Sequence, residues 1–211
     1  ERGDRVGLLS ENRWEWAVTD LAILSLAAVN VPMFPTLPPA QVKYVLEDSS
    51  AKAIVVSNKE QLKKIAEIKG SLEKLEHVIV IESAATEGLA KAISFGDMMD
   101  RGAQIEGGES DRFDATWRDV KEDDLASIIY TSGTTGDPKG AMLSHANFST
   151  NARATAKVFE FTHEDRFLSF LPLSHVFERL AGHYLPLHVG AAVGYAESLF
   201  TIAKNLRELQ P

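Results

Sequence analysis

The sequence predicts an α/β fold, a mostly parallel β-sheet with helices on both faces. Two observations carry that expectation. From Val6 to Ile81, short β-branched apolar runs alternate with longer segments of helical periodicity in the order βαβαβαβ, a pattern that closes as parallel strands joined by crossover helices. Further on, a glycine- and hydroxyl-rich segment begins where the apolar run 125–129 ends, which is where open parallel sheets receive ligands. With 211 residues, 45% of them hydrophobic, the chain has material for one domain with a substantial core.

The elements follow in order. Val6 to Ser10 reads as a buried strand. Asn12, with Glu15 three residues on, forms an N-cap signature. Trp14, Val18, Leu21, Leu24 and Ala28 then recur at helical spacing and are expected to pack on the sheet. Val31 to Phe34 is a short strand, and Pro38 and Pro39 suit the first turn of a helix whose inner face is Val42, Val45 and Leu46. Ala53 to Val56 is a strand, Gln61 to Leu72 a helix with a solvated lysine-rich face, and His77 to Ile81 another strand. The stretch 84–124 is poor in aliphatic residues and reads as a surface excursion. Within it, Gly107-Gly108 marks a loop and Phe113, Trp117 and Val120 line a helix starting near Ser110 or Asp111. Beyond the glycine-rich segment, 145–159 is a helix and 167–171 a strand. Val176, Phe177, Leu180, Tyr184 and Leu187 share a helical face, 191–195 is a strand, and Leu199, Ile202, Leu206 and Leu209 face inward from a last helix capped by Ser198.

The informative stretch is Tyr130-Thr131-Ser132-Gly133-Thr134-Thr135-Gly136-Asp137-Pro138-Lys139-Gly140. It lies between Leu125–Ile129 and Ala141–Leu143, two runs of strand character. Glycines let the backbone curl and let a ligand approach closely. Successive N–H groups in such a curl form an anion-binding nest. Thr131, Ser132, Thr134 and Thr135 add hydroxyls and Lys139 a cation, an inventory suited to a polyphosphate. It is not a Walker loop. Pro138 stands where that motif needs its second glycine, Gly140 stands where it needs Ser or Thr, and a strand follows instead of a helix. The plain alternative is a glycine-rich hairpin without a ligand.

Tyr130 to Gly140, continued by Ser144-His145, resembles the phosphate-loop signature of the adenylate-forming superfamily of acyl-CoA synthetases, adenylation domains and luciferases. The block Leu171-Pro172-Leu173-Ser174-His175-Val176-Phe177-Glu178-Arg179 is similar to one found in long-chain fatty acid–CoA ligases, as is the segment from Ser10 to Pro35. The resemblance implies that residues 1–211 are one AMP-binding subdomain with its phosphate loop at 130–140. It implies ATP-dependent conversion of a fatty acid to an acyl-adenylate and then to acyl-CoA. Thr131, Ser132, Gly133, Thr134, Thr135, Gly136 and Lys139 would contact the ATP phosphates, and Thr131 would also lie near Mg2+. His175 would line the acyl site; the alternative is a helix-capping or packed histidine. Glu178 and Arg179 are either an exposed ion pair or site residues, and His183 and His188 lack the partners that a metal site needs.

A net charge of −8 argues against nucleic acid as a partner. Without cysteine, neither disulfides nor a thiolate nucleophile is available. The longest apolar run, 21–31, is interrupted by Ser25 and Asn30 and is too short to span a bilayer. A cytoplasmic location is expected, with peripheral membrane association left open. The chain opens at Glu1 directly before a strand and ends at Pro211 after a helix, which reads as a cut through a larger protein. The family's later acidic motif, its C-terminal lysine and the second sheet of its large domain are expected to lie elsewhere in that polypeptide. No catalytic residue is therefore expected here, and the isolated chain is expected to be inactive. Two alternatives stand beside the fatty-acid ligase. One is an aryl- or amino-acid-activating or carrier-protein-loading enzyme; the other is a nucleotide-binding module without turnover. A hydrolase is disfavoured because no Gly-x-Ser-x-Gly elbow occurs.

Overall fold

The computed structural model describes the backbone of residues 1–82, 89, 92–131 and 137–211, and the side chains of the same residues apart from 106–112. The first half is the expected alternation: β1 (Arg5–Leu9), α1 (Trp14–Ser25), β2 (Val29–Met33), α2 (Pro39–Asp48), β3 (Ala53–Val56), α3 (Lys59–Ile68) and β4 (His77–Val80). After it come β5 (Ile93–Ser94), α4 (Phe95–Arg118), β6 (Leu125–Thr131) and β7 (Lys139–Ser144). These strands form one sheet in the order β5-β4-β3-β1-β2-β6-β7. Its pairings are parallel except the last, where β7 returns antiparallel to β6. β1 is followed by β2 on one side and, through α2, by β3 on the other, so the chain reverses direction across the sheet at β1.

Neighbouring residues of one strand serve opposite faces of the sheet. Leu9, Val56 and Val80 join Val42, Val45, Leu46, Leu62 and Ile65 in a core under α2 and α3. Leu8, Val55 and Ile79 join Trp16 of α1 and Leu173 in a second core on the other face. α2 begins as expected, with Pro39 at its first turn. It lies so close to β1 that a Cβ on Gly7 would sit 3.0 Å from Leu46 Cδ2 and Met33 Cε.

The second half consists of α5 (His145–Val158), β8 (Arg166–Ser169), α6 (Val176–Arg179), a π-helical turn (Leu180–Tyr184), α7 (Leu185–Val189), β9 (Ala192–Tyr195) and α8 (Ile202–Leu209). β8 and β9 pair in parallel in a sheet of their own. Strands of a second sheet are thus present in this chain, contrary to expectation. Ser144 opens α5 with a capping box closed by Asn147, and Ser198 caps the turn before α8 through Thr201.

Four further expectations are corrected. Asn12 does not cap α1; Arg13 occupies that position without a side-chain bond, and Asn12 reaches β8 instead. The stripe Trp14, Val18 and Leu21 faces outward, with Trp14 55% exposed. The buried side of α1 carries Trp16, Asp20 and Ile23, because Asp20 has a buried cationic partner described below. Gly107-Gly108 falls inside α4, which starts at the Ser94 cap and runs for 24 residues. On the helix after β8, Val176, Phe177 and Leu187 are exposed, and Glu178, Arg179 and His183 turn inward.

Candidate functional site

β6 and β7 are the two limbs of the predicted phosphate loop. Their ladder runs from Leu125↔Ser144, through an irregularity before Ser127, to a last register pair, Thr131↔Lys139, so the two residues face one another across the mouth of the hairpin. Both are exposed. Lys139 has no acidic partner among the described residues. Ser132, Gly133, Thr134, Thr135 and Gly136 lie outside the described residues. Tyr130 is paired with Gly140, and its ring fills the space there: a Cβ on Gly140 would lie 3.2 Å from Tyr130 Cζ and 2.6 Å from Ile128 Cγ2. An aromatic side chain covering a cross-strand glycine repairs the packing that glycine leaves open.

His175 stands at the N-terminus of α6 and is exposed. Its Nδ1 accepts the Phe177 N–H at 3.2 Å, a capping bond. No hydrogen bond or ion pair links it to Thr131 or Lys139. The segment leading to it is held from the main sheet. Asn12, just past the end of β1, donates through Nδ2 to the Leu171 carbonyl at 2.6 Å and to Ser169 Oγ at 3.2 Å. Its Oδ1 accepts the Leu173 N–H at 2.9 Å. Glu178 holds the same segment from behind: its Oε1 accepts from Ser169 Oγ at 2.7 Å and from the Phe170 N–H at 3.1 Å. Gly182 is the space that carboxylate occupies, since a Cβ there would collide with Glu178 Oε1.

Glu178 and Arg179 are not an exposed pair, as the sequence allowed. Both are buried, and they point to different partners. The Arg179 guanidinium donates to the buried Asp20 carboxylate of α1 and, through Nη1, to Ser127 Oγ of β6 at 2.7 Å. Ser127 donates onward to the Asn30 carbonyl of β2 at 2.8 Å. Asp20 also accepts from Asn30 Nδ2 at 2.6 Å and Tyr184 Oη at 2.6 Å. His183 Nε2 lies 3.3 Å from Asp20 Oδ2 but off the hydrogen-bonding direction. The π-helical turn brings Tyr184 under Arg179, since its wider i→i+5 winding aligns residues that an α-helix would splay apart. The guanidinium also lies 4.9 Å from the Phe148 ring centroid. Burial alone would raise the Asp20 carboxyl; Arg179, with His183 and Tyr184, overrides it and holds the group well below the ordinary carboxylate range.

Glu178 shows the opposite balance. Burial pushes its carboxyl above the ordinary value, and the bonds from Ser169 and Phe170 only partly offset this. The stability linked to a raised carboxyl is complete below its unfolded value and declines as pH rises through the folded one. Glu178→Gln keeps an acceptor oxygen and removes the buried charge. The variant is expected to melt at or above the wild-type temperature at about pH 8, with the difference vanishing near pH 4. Calorimetric scans of both proteins across that range check it; a variant less stable than wild type at the alkaline end would contradict it.

The whole chain, residues 1–211, matches the AMP-binding enzyme family model, and the chain belongs to that family. Two relatives are similar over all of its length. The long-chain-fatty-acid–CoA ligase FadD15 of Mycobacterium bovis is 32% identical, with 34% of its own length covered. The long-chain-fatty-acid–CoA ligase ACSBG2 of Rattus norvegicus is also 32% identical, with 32% covered. The chain therefore spans about a third of the curated relatives it matches. Among solved structures, the anthranilate CoA ligase AuaEII in complex with anthranoyl-AMP superposes with a TM-score of 0.78 at 27% identity, over 98% of this chain and 38% of that one.

The sequence singled out the hairpin and the 171–179 block, gave Asn12 a capping role it does not have, and missed Asp20 and Ser127. One signal existed for Asp20: it is a lone carboxylate next to the longest apolar run of the chain. A lone acid in such a setting is buried only when paired. Its partner lies 159 residues away, beyond the reach of any local pattern.

Proposed function

We propose that residues 1–211 are the phosphate-loop subdomain of a long-chain fatty acid–CoA ligase that acts through an acyl-adenylate. The observation that carries this reading is the hairpin. It places a hydroxyl, Thr131, opposite a cation, Lys139, that has no acidic partner among the described residues, at the carboxyl end of β6. In the reaction, a fatty-acid carboxylate oxygen bonds to the α-phosphorus of ATP and the bond to pyrophosphate breaks. The thiolate of coenzyme A then attacks the acyl carbon and AMP leaves. Negative charge grows on the departing pyrophosphate. Thr131, Ser132, Thr134, Thr135, the loop N–H groups and Lys139 are suited to bind that charge, each charge-assisted bond contributing about 1.5–3 kcal/mol.

No cluster of three potential metal ligands occurs among the described residues. Mg2+ would arrive on the nucleotide phosphates, with Thr131 offering one hydroxyl. His175, exposed at the start of α6, is assigned to the acyl end of the site on the resemblance of the 171–179 block. The rest of the catalytic apparatus belongs to polypeptide outside these residues. No helix among the described residues is long and apolar enough to cross a membrane.

A second reading, activation of an aryl acid, is supported by the structural likeness to an anthranilate CoA ligase over nearly the whole chain. Steady-state kinetics of the full-length enzyme with a panel of fatty and aryl acids separates the two. Lys139→Ala tests the shared core of both readings. It is expected to raise the KM for ATP at least ten-fold, as loss of one charge-assisted bond of about 1.5–3 kcal/mol requires, while the preference among acids stays the same. ATP kinetics identical to wild type would remove Lys139, and with it the hairpin, from the nucleotide site.

A further inference from the structure

Helix α2 touches both limbs of the hairpin. Tyr44 and Asp48 are one turn apart and therefore project from the same side of the helix. Tyr44 donates its hydroxyl to the carbonyl of Pro138 at 3.1 Å. Asp48 Oδ2 accepts the hydroxyl of Tyr130 at 2.5 Å. The two tyrosine rings meet edge to face, with centroids 6.3 Å apart and planes at 86°. The helix behind them does not move easily, because Val42, Val45 and Leu46 are sunk in the core. Burial and the Asp48 carboxylate keep the Tyr130 phenol protonated, so it remains a donor.

The bond to Pro138 has a specific consequence. A carbonyl lies in the plane of its peptide unit, and the unit Pro138–Lys139 is rigid and planar. Holding the Pro138 oxygen therefore restrains where the nitrogen and the Cα of Lys139 can sit. Core packing does not need the Tyr44 hydroxyl, since the ring is only partly buried at the edge of the α2–β-sheet interface.

We propose that Tyr44 is a positioning residue for nucleotide binding: from α2, with Asp48 holding the opposite limb through Tyr130, it sets the Pro138–Lys139 peptide and so aims Lys139 across the hairpin mouth at Thr131. The proposal rests on the reading of 130–140 as the phosphate loop.

The test uses the full-length ligase carrying Tyr44→Phe, which keeps the ring and deletes only the hydroxyl, with Lys139→Ala in parallel. Tyr44→Phe is expected to raise the KM for ATP about five-fold, the loss of one hydrogen bond of about 1 kcal/mol. The KM for the fatty acid should stay within about two-fold and the melting temperature within about 2 °C. If Lys139→Ala weakens ATP and Tyr44→Phe does not, the tether is idle and the proposal falls while the loop reading stands. If neither variant changes ATP kinetics, the loop reading falls and takes the proposal with it. An equal rise in both KM values, or a clear loss of stability, makes Tyr44 a general packing residue and also overturns it. Should Tyr44→Phe not fold, Asp48→Ala at its exposed helix position removes the other tether and must show the same ATP-selective rise.

Discussion

Arg179→Leu is expected to destabilise the chain by about 3–5 kcal/mol, the cost of stranding a buried charge. Arg179 and Asp20 are both fully buried, at 0% exposure. Without the guanidinium, the Asp20 carboxylate keeps Asn30 and Tyr184 as its hydrogen-bond donors among the described residues, and Ser127 loses the bond that ties β6 to α6. A pH signature separates this cause from a simple packing defect. In the wild type Asp20 is held below the ordinary carboxylate range, so its stabilising contribution is present above the unfolded value and is lost only in strong acid. Once Arg179 is gone, burial dominates and the folded value rises above the unfolded one. The sign then reverses: the variant is most stable where Asp20 is protonated and weakens as pH climbs. Urea denaturation of both proteins between about pH 5 and pH 8 should show a deficit that shrinks toward acid. A deficit below about 1 kcal/mol, or one independent of pH, would show that the pair does not organise this core. Replacing both partners by apolar residues should restore much of the loss, because no buried charge is then left alone.

That network also explains where reading the sequence worked and where it failed. The strands of the main sheet other than β5 were legible because short β-branched runs carry their own evidence, and the structure moves their ends by a residue or two; β5, only two residues long, lies inside the stretch read as a surface excursion. α2 was legible because its proline start and its buried triplet agree. The hairpin limbs were legible because glycine and hydroxyl composition interrupts apolar runs sharply. α1 was misread for one physical reason. An apolar stripe normally faces the core, but here the inward side is set by a charge that must meet another charge. The same holds for the helix after β8, where Glu178, Arg179 and His183 turn in and Val176 and Phe177 turn out. The glycines at 107 and 108 suggested a break, yet the helix around them continues from a strong serine cap at its start. Side chains whose partners lie far along the chain leave no periodic trace. Asp20 and Asn12 bond residues more than 150 positions away, and Ser127 joins residues 97 and 52 positions from it.

Asn12→Ala carries the second large expectation, a loss of about 2–4 kcal/mol. One amide side chain makes three bonds to the segment 169–173. Alanine leaves the Leu173 N–H without its acceptor, and an unsatisfied buried group costs about 1–3 kcal/mol; the bond to the exposed Leu171 carbonyl is lost as well, at a smaller cost. Leu173 itself is buried against Leu8 and Trp16, so water cannot readily replace the acceptor its N–H loses. The damage should be local. Amide exchange at Leu173 is expected to accelerate, while the β1–β3 ladder, which does not depend on Asn12, stays protected. Asn12→Asp separates the two ends of the amide: it keeps an acceptor for Leu173 but loses the donor to Leu171, and its stability should fall between wild type and alanine. Asn12 and Glu178 both bond Ser169, so their variants are expected to be non-additive in a double-mutant cycle. Unchanged exchange at Leu173 in Asn12→Ala would mean that 169–173 is fixed by β8 and Glu178 alone, and that the loop after β1 does not position the approach to His175.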